Sequence, residues 1–449
     1  MARGREDLEF HGVPLRFAFT PHPVASMPPS VLLSYIEGDN PATGRRLVDE
    51  VLEALTIPYT AEESRNLAVV RPSPERQRFL KEDTEQNLQQ IFLRRGWSDG
   101  LPIILPTEER VEEMLTGTGQ PRDKVAGKAL MDDTQENLRA TVEAVAIAGV
   151  MAGARPEHLP VLLAIASTGQ PAIQPSTLPF NSAIAVNGPI RNEIGMNSGM
   201  GALGPYNAAN AVIGRAWTLM SIVWGYARRQ RTFWSSQGNN YCYNNLCMAE
   251  NEERSVWEPF HVRKGHNKDE STVSLFRGWN VINSTGAASR RTWGDELKFQ
   301  MQAIPPLFSA ATLILDPMLA RYLKDHEGFQ TPLGIGSWIS ENIRMPAGQF
   351  WGNDIIDMLI APLALSGVQP YASWKQLPND AIIAPYHRPG KINVLVVGGE
   401  TSPLWKISDM DHTTTASVDK WRSTPGEEPW HGRSADIGTS RGAYEASEK

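Results

Sequence analysis

Residues 182–227 form the segment that decides the fold, and they read SAIAVNGPIRNEIGMNSGMGALGPYNAANAVIGRAWTLMSIVWGYA. The apolar run at 182–186 predicts a buried strand, because short apolar segments bounded by turn residues are typical of one. A loop rich in glycine and asparagine follows at 187–207, and the apolar segment 208–227 then has the length of a helix. This order of strand, loop and helix is the repeating unit of an α/β protein.

The same order of elements recurs on the C-terminal side of this segment. Short apolar runs at 272–276, 312–315 and 392–397 predict three more buried strands, with helical segments between them. We therefore predict an α/β body with a mixed or largely parallel sheet and flanking helices. No internal repeat of fixed period is visible in the sequence.

Shifts in composition divide the chain into a small N-terminal α/β piece, a linker with a docking helix, a large α/β domain and a polar tail. These four parts cover residues 1–60, 61–95, 96–422 and 423–449. In the N-terminal piece, residues 15–19 predict a strand, and residues 45–55 predict a helix with one apolar face. The docking helix is expected over residues 75–95.

The composition excludes several classes of protein. The 449 residues have a net charge of −7 and no basic stripe, which disfavours nucleic-acid binding. The two cysteines are too few for a disulfide framework or a cysteine-based zinc site. Residues 209–227 are long enough to span a bilayer, but Arg215 lies in their middle, where a charge is costly. We expect a buried helix in a cytoplasmic protein, with no signal peptide and no membrane contact.

The loop at 187–207 is the strongest functional feature of the sequence. Gly199, Gly201 and Gly204 match the pattern G-x-G-x-x-G and precede a helix. No strand lies directly before the first glycine, and Pro205 interrupts the expected start of the helix, which disfavours dinucleotide binding. Uncovered backbone N–H groups and a helix N-terminus still favour a bound carboxylate or phosphate. The alternative is a structural crossover without a ligand.

We expect this loop to line a pocket, with Arg191 or Arg215 pointing into it. Replacing Gly201 by valine is expected to remove ligand binding and leave the fold largely intact. The candidate substrate-binding residues are Asn187, Arg191, Asn197, Ser198, Gly199, Gly201, Gly204, Asn210 and Arg215.

A second cluster of polar residues lies at 241–261, YCYNNLCMAENEERSVWEPFH. Glu250, Glu252 and His261 are candidate catalytic residues, because neighbouring carboxylates raise one another's pKa and suit acid–base chemistry. Glu250 and Glu252 share one face of an extended segment, and we expect Glu250 to face the same pocket as the glycine loop. A hard cation bound by these carboxylates, or a solvated turn beside a buried histidine, are the alternatives.

Two other histidines lie at positions that favour a functional role. His22 lies between two prolines that fix its backbone, and it is a fourth candidate catalytic residue. His412 lies just beyond the strand that ends at Gly398 and Gly399, where ligands of open α/β sheets gather; a structural role is the alternative. The sequence predicts no metal site and leaves the identity of any cofactor unknown.

Four segments of the large domain occur together within residues 90–415, namely SDGLPIILPTEERVEEML, AGVMAGARPEHLPVLLA, NGPIRNEIGMNSGMGALGPYNAANAVIGRA and CMAENEERSVWEPFHV. Together they resemble the large domain found with UGSC-family (seleno)proteins. The N-terminal segments VPLRFAFTPHPVASM and LVDEVLEALT resemble the closing half of the small UGSC-like domain. In that family the small domain carries a Cys- or selenocysteine-Gly-Ser-Cys segment, which this chain lacks. The resemblance therefore implies a reactive sulfur or selenium supplied by a separately encoded partner.

Three functions are compatible with these features. The first is the large subunit of a two-component enzyme, of lyase or oxidoreductase type, acting on a small anionic substrate with a thiol- or selenol-bearing partner subunit. Its reaction would be reductive cleavage, C–S chemistry or elimination. The second is a self-sufficient hydratase, lyase or hydrolase using Glu250, Glu252 and His261, and the third is a non-catalytic binding or scaffold subunit.

The N-terminal piece also predicts an assembly. Residues 1–60 are too few to bury an adequate core, and a strand at 15–19 would leave an open sheet edge. We therefore expect a hetero-oligomer in the working state. Coverage of that edge by the large domain, or by a second copy of the chain, is the alternative.

Overall fold

The computed structural model of the chain describes residues 16–21, 24, 27–61, 63, 79–127, 140–174, 176–224, 233, 235–284 and 292–423. The chain divides into two compact units, Met1–Thr84 and Glu85–Lys449. This division falls within the predicted linker, so the docking helix belongs to the second unit. The polar tail beyond residue 423 lies outside the described residues.

The described part of the first unit contains two helices, α1 at Pro29–Glu37 and α2 at Leu47–Thr56, and an isolated bridge between Asp39 and Arg46. The second helix confirms the apolar periodicity of residues 45–55. No residue of α1 is buried, and α2 buries only Leu47. The helices of this unit therefore leave most of their apolar side chains at least partly exposed.

The strand predicted over 15–19 is wrong for residues 16–19, which form no ladder. Side-chain contacts hold this segment instead. The guanidinium of Arg16 donates to the carboxylate of Glu63 at 2.8 Å and to the carbonyl oxygen of Ile57 at 2.7 Å. The described residues of the first unit therefore contain two helices and an isolated bridge.

The second unit contains helices and strands along its whole described length. Its helices are α3 (Glu85–Arg95), α4 (Glu108–Leu115), α5 (Val142–Ala152), α6 (Leu159–Ser167), α7 (Ile190–Glu193), α8 (Ala208–Val223), α9 (Phe260–Arg263), α10 (Trp293–Ala303), α11 (Pro317–Asp325), α12 (Pro332–Asn342), α13 (Ala347–Trp351), α14 (Asp354–Leu365) and α15 (Tyr371–Trp374). Its strands are β1 (Val125–Gly127), β2 (Ala140–Thr141), β3 (Asn181–Asn187), β4 (Cys247–Ala249), β5 (Thr272–Gly278), β6 (Val281–Asn283), β7 (Ala311–Leu315), β8 (Met345–Pro346), β9 (Ile382–Ile383), β10 (Ile392–Val396), β11 (Trp405–Ser408) and β12 (Asp411–Ser417).

Two four-stranded sheets form the centre of this unit, with strand orders β4-β3-β5-β12 and β10-β7-β11-β6. In each sheet the first two strands are parallel and the other neighbours are antiparallel. The predicted α/β fold with a mixed sheet is therefore confirmed. The four predicted strands are β3, β5, β7 and β10. The docking helix begins at Glu85, later than expected, since residues 80–84 are not helical.

The two sheets repeat one topology and exchange their outer strands. β3 leads to its parallel neighbour β4 and then to its antiparallel neighbour β5, and β7 leads in the same way to β10 and β11. After two further residues each chain segment crosses to the other sheet, so that β6 pairs with β11 and β12 pairs with β5. At this crossing the carboxylate of Asp409 accepts from the N–H groups of Trp279 at 2.8 Å and Asn280 at 3.0 Å.

An apolar core joins the two sheets. Its buried residues include Ala185, Met248 and Phe276 of one sheet, and Ile314 and Leu395 of the other. β4 and β10 meet beside this core, where the N–H of Asn251 donates to the carbonyl oxygen of Val396 at 2.7 Å. The carboxyl ends of the central strands are therefore held in a fixed relation to one another.

The helix predicted over 208–227 is α8, which is mostly buried and ends at Val223. Gly214 allows it to pack closely, because a Cβ at this position would lie 1.7 Å from the carbonyl oxygen of Asn244. Arg215 in its middle binds Asp99, with 2.8 Å between nitrogen and oxygen. Within the described residues, no helix has the length and apolar character needed to cross a bilayer.

Candidate functional site

A cavity of about 480 Å³ lies at the carboxyl ends of β7 and β10. Residues 199–204 of the glycine loop form one wall, and residues 397–402, which follow β10, form another. Ile314 of β7, Lys406 of β11 and Asn283 of β6 also line it. Ligands of open α/β sheets bind at this end of the strands. The structure thus places the three glycines predicted to bind a ligand beside a cavity.

Three asparagines shape the glycine loop. The side-chain amide of Asn207 donates to the carbonyl oxygens of Gly201 at 2.7 Å and Gly204 at 3.0 Å. Asn197 donates to the side-chain oxygen of Asn207 at 2.8 Å. Asn210 in turn binds the N–H and the carbonyl oxygen of Asn197 at 3.0 and 2.9 Å. Asn197 and Asn210, predicted to bind substrate, do not line the cavity but hold the loop that does.

Close backbone packing explains the two glycines that follow β10. The N–H of Gly398 donates to the carbonyl oxygen of Ser198 at 3.0 Å, which joins the two walls of the cavity. A Cβ on Gly399 would lie 2.4 Å from the Cα of Met200. Only glycine allows the loop to approach the end of the strand this closely. The candidate Ser198 therefore contributes to the site through its backbone.

Lys406 brings a positive charge to the cavity from β11. Its ammonium donates to the side-chain oxygen of Asn283, and no carboxylate oxygen of the described residues lies within 4.0 Å of it. Burial lowers the pKa of Lys406, because the charged ammonium loses hydration. A half-buried cation without a counter-charge is costly, and an anionic ligand would compensate it.

Asp316 brings a negative charge to the same cavity, but backbone N–H groups already bind it. Its carboxylate caps α11 and also accepts from the N–H of Glu400 at 3.1 Å. Glu400 in turn binds Arg321 at 2.5 Å and Arg254 at 3.3 Å. The carboxylate of Asp316 therefore orders the wall that follows β10, and it makes no ion pair with Lys406 within 4.0 Å.

Glu250 is fully buried beside β10 and does not line the cavity. Its carboxylate accepts from the side-chain amide of Asn187 at 2.6 Å, from the N–H of Phe260 at 2.7 Å and from the N–H of Val396 at 3.4 Å. The guanidinium of Arg263 lies 3.9 Å away. Burial raises the pKa of Glu250, while Arg263, Phe260 and Asn187 oppose this change. These contacts connect β4 to β10, which is a structural role.

Arg191 is buried in an ion cluster at the start of the glycine loop. Its Nε lies 3.2 Å from Glu252, and its two terminal nitrogens donate to Glu253 at 2.9 and 2.7 Å. Glu252 also accepts from the side chain of Asn187 at 2.9 Å and from the N–H of Gly188 at 2.8 Å. Arg191 holds the pKa of Glu253 down at about 2. Three candidate residues therefore lie together in a polar cluster that does not line the cavity.

The remaining candidates lie in other places. Neither Arg191 nor Arg215 enters the cavity, contrary to expectation, because a carboxylate binds each of them. His261 is fully buried, and its Nε2 lies 3.2 Å from the carbonyl oxygen of Lys268. His22 lies outside the described residues.

Lys406, which lines the cavity, and Asn207, which holds the glycine loop, are not among the residues predicted from the sequence. The run WKIS at 405–408 did carry a signal, because alternating apolar and polar residues are typical of a strand with one polar face. The run is only four residues long, too short to distinguish from a loop without its neighbours in the sheet.

The two cysteines are not placed as reactive thiols. Burial raises the pKa of Cys242 to about 11, and it also raises the pKa of the fully buried Cys247. The described residues also contain no group of three or more His, Cys, Asp or Glu side chains that could hold a metal ion.

Comparison with known proteins identifies no family for the chain. No protein-family model matches the chain, and neither a curated protein nor a solved structure does so. The resemblance to the UGSC family therefore stays a prediction from the sequence.

Proposed function

We propose that this chain binds a small anionic substrate in the cavity between the glycine loop and residues 397–402, as the large subunit of a two-component enzyme. The main support for this proposal is the environment of Lys406. Its ammonium faces the cavity, is half-buried, and has no carboxylate within 4.0 Å among the described residues. An anionic group of the substrate would supply the missing counter-charge.

The rest of the lining suits a small polar ligand. The volume of about 480 Å³ falls within the range of ordinary small-molecule sites. Ser284, Thr401 and Ser402 line the cavity together with Lys406, and their hydroxyl groups can donate to an anion or accept from a polar substrate. The cavity therefore offers both a charge and hydrogen-bonding groups to such a ligand.

A thiol- or selenol-bearing partner subunit completes the proposed enzyme, for reductive cleavage, C–S chemistry or elimination. The raised pKa values of Cys242 and Cys247 support an external source of sulfur or selenium, since a neutral thiol is a poor nucleophile. The exposed apolar side chains of α1 and α2 support a partner for the first unit. The two free cysteines also agree with a cytoplasmic location, which is part of the proposal.

The two alternative functions have less support. A self-sufficient enzyme would use Glu250, Glu252 and His261, yet none of them lines the cavity, and Glu250 is fully engaged by neighbouring donors. A scaffold subunit has no need of an uncompensated lysine in a cavity, whereas a non-catalytic binding subunit would use it too and differs from the proposed enzyme by the absence of turnover.

Replacing Lys406 by methionine tests the binding step. We expect the affinity for phosphate and malonate, used as probes, to fall by about tenfold or more, because a hydrogen bond to a charged group contributes about 1.5–3 kcal/mol. Isothermal titration calorimetry at constant ionic strength measures this. K406R keeps the charge and should retain most of the affinity. K375M removes a surface lysine that binds Asp357 and should change nothing. Equal affinities of the wild type and K406M would contradict the proposal.

The partner is tested by reconstitution. The purified chain is compared, by mass and by turnover, with the chain co-expressed with a small protein that carries a Cys- or selenocysteine-Gly-Ser-Cys segment. We expect turnover only in the complex. Full activity of the isolated chain would refute the two-component proposal while leaving the anion site to the calorimetric test.

A further inference from the structure

A cross-strand pair of hydroxyl side chains lies in the other sheet, where the exchanged strand β12 forms the edge. Lys406 of β11 pairs with Asn283 of the exchanged strand β6, and Ser274 of β5 pairs with Thr415 of the exchanged strand β12. Side chains interact at both places: Lys406 binds Asn283, and the hydroxyl oxygens of Ser274 and Thr415 lie 2.8 Å apart. The Ser274–Thr415 pair therefore consists of two hydroxyl groups. The charge near this pair comes from the surrounding residues.

His412 extends this pair of hydroxyls. Its Nε2 lies 2.9 Å from Oγ1 of Thr415, and its ring packs edge-on against Phe260 and Phe276, with centroids 5.2 and 5.5 Å away. Burial, together with the positive charges of nearby lysines, lowers the pKa of His412 to about 4. The imidazole is therefore neutral at pH 7.

Lys264 supplies an ammonium next to the same aromatic ring. Its Nζ lies 4.9 Å from the centroid of Phe260 and 3.3 Å from the side-chain oxygen of Asn393. No carboxylate oxygen of the described residues lies within 4.0 Å of it. Burial and the charges of Arg263 and Lys391 lower the pKa of Lys264, and the more distant charge of Asp411 opposes this change. Like Lys406, it is a partly buried cation without an ion-pair partner.

The charged groups around the imidazole are predominantly positive. On β12, Asp411 is already bound by Lys391, at 2.7 Å. The segment that ends α9 contributes Lys264 and Arg263, and Arg263 lies 3.9 Å from the buried carboxylate of Glu250. Three cations thus stand against two carboxylates, and the positive charge of Lys264 acts on the His412 ring.

We propose that a second anion site lies here, in which an oxyanion group, phosphate or carboxylate, binds among the Lys264 ammonium, the Thr415 hydroxyl and the His412 imidazole. A bound negative charge favours the protonated imidazolium, so the anion and a proton bind together at this site. Affinity for the anion therefore rises as the pH falls toward the pKa of His412. The site uses other residues than the Lys406 cavity and is independent of the function proposed for it.

The test is the titration of the His412 ring, followed by NMR on its Cε1–H and assigned with an H412Q variant. Phosphate at saturating concentration is expected to raise the apparent pKa of His412 by about one unit or more, which is a tenfold coupling between the anion and the proton. Malonate, which keeps an ionised carboxylate near pH 4, is tested in a second arm. A shift with malonate as well would extend the ligand class to carboxylates, and a shift with phosphate alone would restrict it to phosphate groups.

The K264M variant provides the matched comparison. Without ligand, its His412 should titrate at a higher pH than in the wild type, because a repelling charge is gone; this also shows that the variant is folded with Lys264 facing the ring. Phosphate should then produce little further shift in K264M and a full shift in K406M. A wild-type titration that phosphate does not change, or an equal shift in K264M, would overturn the proposal.

Discussion

Replacing Glu250 by alanine is expected to lower the free energy of unfolding by about 3–5 kcal/mol, because removing one member of a buried ion pair leaves the other charge uncompensated. The guanidinium of Arg263 would lose its carboxylate, and the N–H groups of Phe260 and Val396 would lose their acceptor. Both losses fall on the contact between β4 and β10, which joins the two sheets. Equilibrium unfolding in denaturant measures the change.

Two further variants separate a structural role of Glu250 from a catalytic one. E250Q keeps the shape of the side chain and one acceptor oxygen but loses the charge, so we expect an intermediate loss of stability. E157A removes an exposed ion pair with Arg155 and should cost at most about 1 kcal/mol. An E250Q protein with wild-type stability and no turnover would show that Glu250 is catalytic, as the sequence predicts, and would contradict the structural role.

The substitution G399A is expected to abolish anion binding in the cavity. The added Cβ would lie 2.4 Å from the Cα and 2.5 Å from the backbone nitrogen of Met200. These are backbone atoms, which cannot rotate aside as a flexible side chain can, so the glycine loop must move away from β10. We expect the affinity for phosphate to fall more than tenfold with the far-UV circular dichroism unchanged.

G390A is the matched control for this substitution, since a Cβ on Gly390 meets no atom within 4 Å and Gly390 does not line the cavity. Its affinity for phosphate should stay within about twofold of the wild type. G201V acts through a different cause: there is space around Gly201, but its φ of +70° strains a β-branched residue. Equal affinities of G399A and G390A would show that the approach of the loop to β10 does not form the site.

The sequence predicts the central strands well because they are buried on both faces. β3, β5, β7 and β10 are apolar runs whose identity does not depend on their neighbours. The strand predicted at 15–19 is wrong for residues 16–19, because these residues do not pair with another strand. Whether a short run of alternating residues forms a strand depends on its pairing with distant segments, and the local periodicity does not show that pairing.

The duplicated topology and half of the site could not be predicted from the sequence, for the same reason. The two sheets share their strand arrangement, yet their strands show no sequence repeat. The glycine loop could be predicted as a cavity wall from its composition alone. The pairing of Arg191 and Arg215 with carboxylates, and the isolation of Lys406, depend on contacts between residues far apart in sequence.

Anomalous diffraction from crystals of the chain soaked in selenate tests the central claim most directly, because it locates the anion itself. We expect a selenium peak in the cavity, with a selenate oxygen about 2.7–3.2 Å from Nζ of Lys406, and loss of this peak in K406M crystals. Selenate bound at other places on the protein with none in the cavity at saturating concentration would contradict it.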